Sequence, residues 1–445
     1  MRQYVASSSA RRQQIIDVVA PVMTLAGAHR TPRYSLRAIF RAIVRFSIAT
    51  LCAVALGGAI EVLLLAHLPG QLSGARDFSA YWATGQQLAH HANPYDGDAI
   101  LRIERAAGLP AKASVLIMRN PPSALPLVLP LGFLGFRASS ILWSLALVTC
   151  LVVSVHILWV MHGRPKNLRY VLGYTFGPAL ICLINGQPAL FALLGLTLFL
   201  RLHRSRPFMA GTALWLCMLK PHLFLPFGVV LLTWVAVSRS YRIFAGAGIA
   251  IAASYAVTYH VDPMAWEQYS QMARTFRMER DNTACLSYYL RIWLAPHTMW
   301  VQYLPTALAC IWALFYFWSR RQEWDWMKHG GLVMLVSILA APYVWLYDQV
   351  LAIPALLHGA YFTQSRNMLV ALALLSGLVE CALFGNALKP AALYLWTPWT
   401  APAWLAWYLV ADAIDVSRTG AWQRLAAMKW VQTLREICQS DSSSD

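Results

Sequence analysis

Charge is what this chain has least of. Of its 445 residues only 12% are charged, and the acids (19) are half as many as Lys and Arg (36). With 58% hydrophobic residues and a mean hydropathy of +0.50, a soluble globular chain is excluded and the polytopic membrane class is indicated. Glycine fingerprints of the Walker or Rossmann type are missing, which excludes nucleotide-binding domains built on them. No solenoid repeat occurs, and no polar stretch is large enough to fold outside the membrane alone. Cysteine is present at Cys52, Cys150, Cys182, Cys217, Cys285, Cys310, Cys381 and Cys438, but no pair has metal-ligand spacing and no outer pair offers a disulfide. These are read as free thiols. No compact Asp/Glu/His set appears, so neither a metal nor a cofactor is expected.

What the chain does have is apolar runs. A span needs about 20 apolar residues, fewer where neighbours shield a short helix. By that measure spans fall near 43–65, 139–161, 170–184, 186–201, 207–220, 221–238, 243–260, 301–319, 330–346, 348–363, 368–386 and 393–411. The fold class is therefore all-α and polytopic, about 12–13 transmembrane helices in one domain over 43–411. A basic arm, 1–42, precedes it and a polar tail, 412–445, follows. The arm is mostly polar and basic, so the first span reads as a retained anchor and not a cleaved signal.

The formal charge of +17 is a topology signal. Arginines and lysines cluster in the arm and at Arg164/Lys166/Arg169, Arg201/Arg204/Arg206, Arg239/Arg242, Arg320/Arg321/Lys328, Arg366 and Arg418/Arg424/Lys429/Arg435. With both termini in the cytoplasm, alternation through the spans puts every cluster inside. No nucleic-acid motif accompanies the charge, so nucleic acid is not an expected partner. The same assignment leaves 66–120 and 261–300 as outer loops. The proline-rich segment 121–134 would reverse every later loop if it crossed, so it is expected to be re-entrant or to lie at the interface.

Polar residues interrupt the apolar sequence at three places: Asn185-Gly186-Gln187-Pro188, Lys220-Pro221-His222, and Pro342 to Gln349. All three land outside under a topology chosen from arginines alone. In the first outer loop, Phe78–His91 and Asp98–Ala107 read as short surface helices, with Asn93-Pro94-Tyr95-Asp96-Gly97 as the turn between them. The second outer loop, with Trp266, Tyr269, Arg274, Arg277, Arg280, Asp281 and Arg291, reads as a lid or acceptor surface. Four acids touch predicted spans: Glu61, Asp348, Glu380 and Asp412. An acid in the bilayer is costly unless partnered. Lys220 is placed to compensate Asp348, whereas Glu380 shows no evident partner on its own helix.

Group transfer from a lipid-linked phosphosugar needs a base for the acceptor hydroxyl and cations for the departing phosphate. Asp77, among aromatics at the mouth of the bundle, is the candidate base. Lys220, His222, Arg119 or Arg291 are candidate phosphate contacts. A transporter or lipid-carrier flippase would also have broken helices, but its site would lie near the midplane between related halves, and no inverted repeat is evident.

The order Asp77-Phe78-x-x-Tyr81-Trp82-x-x-Gly85 with Asn93-Pro94-Tyr95-Asp96, then Pro121-Pro122 with Pro130-Leu131, Gly186-Gln187-Pro188, Lys220-Pro221-His222, and Pro342 with Tyr347-Asp348 resembles glycosyltransferase family 87. These are enzymes of the C-type (GT-C) superfamily that include mycobacterial polyprenyl-phosphate-mannose-dependent mannosyltransferases. The resemblance implies an inverting transfer of a hexose, most often mannose, from polyprenyl phosphate to a lipid or glycan acceptor. It places the protein in a bacterial cytoplasmic (inner) membrane with its site on the periplasmic or outer face of the cell envelope. It also implies that Asp77 is the base, with Tyr81, Arg119, Gln187, Lys220, His222, Tyr347 and Asp348 binding substrate. Some members carry histidines where this chain has Tyr347-Asp348, so no phosphate-contacting histidine is carried onto that position.

Overall fold

The computed structural model describes residues 76–109, 114–276, 283, 285–388 and 397–415. Chain contacts separate Met1–Cys52 from Ala53–Asp445, and the described residues all belong to the second unit. The expected first span, 43–65 with Glu61, and most of the terminal segments lie outside them, as do Arg277, Arg280 and Asp281. Among the described residues all regular structure is helical, as an all-α polytopic membrane protein requires.

The first two helices are α1 (Arg76–Ala89) and α2 (Gly97–Ala106). Between them the Asn93 side chain accepts from the Tyr95 amide at 2.9 Å. The Asp96 carboxylate accepts from the Asp98 and Ala99 amides at 3.0 and 3.1 Å, capping α2. Both helices and their turn thus form where the sequence puts them.

Then come the bundle helices: α3 (Phe136–Met161), α4 (Val171–Thr175), α5 (Gly177–Asn185), α6 (Ala189–Leu202), α7 (Pro207–Ala213), α8 (Leu225–Ser238) and α9 (Tyr241–Val261). Two short outer helices, α10 (Ala265–Thr275) and α11 (Leu286–Leu294), lead to α12 (Trp300–Arg320), α13 (Gly331–Ala340), α14 (Ile353–Phe362), α15 (Arg366–Leu388) and α16 (400–415). The span expected over 170–184 is broken at Phe176, because Gly177-Pro178 supplies a weak helix former and then a residue without an amide donor. The helix within 330–346 is shorter than expected, ending at Ala340 before Pro342.

The helices alternate in direction, so the chain has two ends of opposite character. Gly186, Lys220 and Trp345–Asp348 stand at one end. At the other, Arg204 pairs with Asp325 at 3.4 Å, Arg169 donates to the Ala360, Tyr361 and Thr363 carbonyls, and the Tyr408 hydroxyl donates to the Lys328 carbonyl. The polar breaks and the basic clusters are therefore segregated.

Segment 121–134 does not cross. Asn120 meets Tyr95 and Leu219 at the break end, and α3 starts at that same end with Phe136 against Phe78 and Trp82. Between them the chain makes three short helical pieces, Pro122–Ala124, Leu125–Val128 and Leu129–Phe133, too few residues for a bilayer. This re-entrant segment is the bed on which α1 lies. A Cβ on Gly85 would sit 2.5 Å from the Val128 carbonyl oxygen, and one on Gly132 would sit 2.0 Å from that of Gly85. The Gln86 and Trp82 side chains donate to the Gly132 and Leu134 carbonyls at 2.6 and 3.0 Å.

Broken helices leave carbonyls that lipid cannot satisfy, and neighbouring side chains take them up. Asn120 donates to Leu219 O at 2.7 Å, Thr258 to Pro122 O at 2.9 Å, Thr306 to Ala340 O at 2.6 Å, and Trp143 to Gly186 O at 2.7 Å. Ser254 and Gln302 do the same for Ser123 and Pro342. Glu380 is also partnered on its own helix: Ser376, one turn earlier, donates to it at 3.0 Å, which corrects the expectation that its helix held no partner.

If the glycine contact seats α1, Gly132→Val forces the backbones apart at a cost of about 1–3 kcal/mol. Hydrogen exchange in detergent is then expected to speed up by about tenfold or more in α1 while α3 and α6 hold.

Candidate active site

Asp77 occupies the first turn of α1 and Tyr81 follows one turn later on the same face. Gln187 is fixed differently. Gly186 ends α5 in the left-handed conformation, φ 69°, and a Cβ there would lie 2.7 Å from that of Phe78, so both backbone and packing require glycine. The Gln187 amide then donates back to Cys182 O at 2.9 Å, and Pro188 opens α6. Gln187 is thereby held in a rigid corner. Lys220 precedes Pro221 and is non-helical for that reason, interrupting the run from α7 to α8 between Leu214–Leu219 and Pro221–Phe224. Asp348 lies in the first turn of the short helix Leu346–Ala352, where its Oδ2 accepts from the Trp345 amide at 3.0 Å.

Asp77 and Tyr81 from α1, and Gln187, Lys220 and Asp348 from the three polar breaks, form one hydrogen-bonded array. Gln187 Nε2 donates to Asp77 Oδ2 at 2.8 Å. Gln187 Oε1 accepts from the Tyr81 hydroxyl and from Lys220 Nζ, both at 3.2 Å. Lys220 Nζ donates to Asp348 Oδ1 at 2.6 Å. The amide oxygen faces two donors and its NH2 faces a carboxylate, the one orientation that satisfies all four groups. Lys220 also stands 4.6 Å from the Tyr347 ring centroid, a cation–π contact. Burial rises across the array: Asp77 is half-buried, Gln187 and Lys220 are 6% and 8% exposed, and Asp348 only 1%. Burial first, and then the carboxylates of Asp77 and Asp348, raise the Tyr81 phenol well above its ordinary value, which keeps it a neutral donor.

Three further predicted residues are His222, Arg119 and Arg291. His222 is half-buried and lies against Tyr343, ring centroids 3.8 Å apart. Arg119 is exposed at the start of the segment entering the re-entrant hairpin. Arg291 is buried and donates to Pro296 O at 2.8 Å, within its own outer loop. Beside Tyr81 the side chains of Asn120, Leu127, Val128, Trp143 and Leu219 close into a seam with no room for even a water molecule.

Sequence reasoning missed three supports. Trp143 stacks on Tyr81 with centroids 5.5 Å apart while holding Gly186 O. Asn120 holds the carbonyl before Lys220; its position directly ahead of Pro121-Pro122 was a usable signal. Glu104, fully buried on α2, accepts from Ser79, two residues after Asp77, at 2.8 Å and from the Leu116 amide at 3.1 Å. Nothing in the sequence around Glu104 separates it from a surface acid.

Fold and site together define a polytopic membrane protein with one half-buried carboxylate in a fixed polar array at one end of its bundle. The family model of glycosyltransferase family 87 matches residues 119–342, half of the chain. The chain belongs to that family and is a membrane glycosyltransferase, which sets the transporter reading aside. No curated protein and no solved structure matches it.

Removing one partner of a buried ion pair strands the other. Asp348→Ala is expected to destabilise the protein by about 3–5 kcal/mol, and the paired change Lys220→Met with Asp348→Leu to recover most of that. Thermal unfolding in detergent measures both.

Proposed function

We propose that this glycosyltransferase moves a hexose, mannose in the first instance, from a polyprenyl-phosphate carrier to a lipid or glycan acceptor at the outer face of a bacterial cytoplasmic membrane. The observation that carries this reading is the convergence of Asp77, Gln187, Lys220 and Asp348 on one array, with Asp77 as its least buried carboxylate. The end bearing that array is opposite the basic clusters, and positive residues favour the cytoplasm.

Asp77 takes the proton from the acceptor hydroxyl as that oxygen attacks the anomeric carbon. The bond from that carbon to the phosphate oxygen breaks, its electron pair leaves with polyprenyl phosphate, and the configuration inverts. Arg119 and His222 are the groups we assign to the departing phosphate. We write the reaction without a metal or other cofactor.

The test is sugar transfer from radiolabelled polyprenyl-phosphate-mannose in native membranes. A general base contributes about 10²–10⁴-fold, so Asp77→Asn is expected to lose at least about 100-fold while running as a folded monodisperse protein. Transfer that survives at wild-type rate removes Asp77 from the role. Transfer only from a different carrier sugar replaces mannose and leaves the base in place.

A further inference from the structure

We propose that the buried Lys220–Asp348 pair is a positioning device for the base: it fixes which way the Gln187 amide faces and through it holds Asp77 ionised and aimed. This rests on the reading of Asp77 as base and gives Lys220 a role other than contact with the donor phosphate.

Lys220 is 8% exposed and already neutralised by Asp348, which is 1% exposed and has both oxygens engaged, one by Lys220 and one by the Trp345 amide. Turning the ammonium toward a phosphate would leave Asp348 buried and unpaired, a costly state. Gln187 stands between Lys220 and Asp77. A flipped amide would aim its oxygen at a carboxylate and its NH2 at an ammonium. Lys220 and Tyr81, both donating to Oε1, exclude that flip and commit Nε2–H to Asp77 Oδ2. A hydrogen bond donated to the ionised form of a carboxyl favours that form. Among the described residues, the titratable groups around Asp77 include Tyr81 on α1, Glu104 on α2 beneath Ser79, Cys182 on α5, Lys220, and Tyr347 and Asp348 on the late break; Arg119 precedes Asn120 in the chain.

The test uses the full-length protein in lipid nanodiscs. Infrared difference spectra of the carboxyl band, each variant against the same variant carrying Asp77→Asn, follow the titration of Asp77. Rates with polyprenyl-phosphate-mannose and membrane acceptor are measured across the same range, about pH 4 to 8. Gln187→Met keeps side-chain length and deletes the donor. The paired Lys220→Met/Asp348→Leu variant removes the ion pair with no net charge change and leaves Tyr81 as the remaining donor to Oε1. Gln187→Met is expected to move the Asp77 titration, and with it the acidic limb of kcat, upward by about one pH unit. It should lower kcat about tenfold with the donor KM within twofold. The paired variant is expected to move both in the same direction by less, since Tyr81 still donates to Oε1.

An Asp77 titration unmoved by Gln187→Met overturns the proposal. So does a paired variant whose donor KM rises tenfold with the titration in place, the result of Lys220 meeting the phosphate. Should transfer survive Asp77→Asn, the reading of Asp77 as base falls, and the carboxyl titration still decides the coupling.

Discussion

A single glutamine amide, with an ammonium and a phenol at its oxygen and a carboxylate at its nitrogen, joins three parts of the chain, and the ion pair of that ammonium with Asp348 adds a fourth. Asp77 comes from a surface helix, Gln187 from the corner between α5 and α6, Lys220 from the corner before α8, and Asp348 from the turn before α14. Gln187 and Lys220 are available because a helix stops there. Had α5 run on through Gly186, or α7 through Lys220, these side chains would sit on helix faces and point into lipid or into the packed interior. Helix interruption is thus a condition of the site.

Interruption in a membrane has a cost that water would otherwise meet. An orphaned carbonyl in hydrocarbon loses several kcal/mol unless a partner replaces the solvent. Here the partners come from helices that themselves run past the break: Trp143 on α3, Thr258 on α9, Gln302 and Thr306 on α12. The continuous helices therefore act as a frame on which the broken ones are fastened, and the fastening points coincide with the corners that carry Gln187 and Asp348. Stability and site geometry depend on the same bonds.

How much of this was legible beforehand follows from the kind of signal each residue leaves. Gly186-Gln187-Pro188, Lys220-Pro221 and Pro342 to Asp348 stand out in a chain this apolar, because a polar residue beside proline is a break whatever the tertiary structure. Arginine clusters then assign the breaks to one end, and contacts across the bundle place them there. Pairing is less readable. Lys220 with Asp348 was foreseeable from cost alone, since two lone charges near the bilayer seek each other, but the insertion of Gln187 between Lys220 and Asp77 depends on the 3.2 Å and 2.8 Å approaches of particular helices. Trp143 and Glu104 leave almost no trace: a tryptophan in an apolar span and an acid in a polar surface helix are ordinary in sequence, and only packing gives them their partners. Ser376 stands one helical turn from Glu380, a spacing the sequence already carries.

The two carboxylates of the array illustrate why one reads as a base and the other as structure. Asp348 is enclosed, with an ammonium on one oxygen and a backbone amide on the other. Asp77 is half-buried, a less enclosed setting, and its Oδ2 accepts from Gln187. Identical chemistry in two environments is the usual way a protein separates a proton acceptor from a fixed countercharge. Under the proposed reaction the donor phosphate meets Arg119 and His222, because Lys220 is already held by Asp348 and the glutamine oxygen, and proton transfer stays on the α1 side of the site.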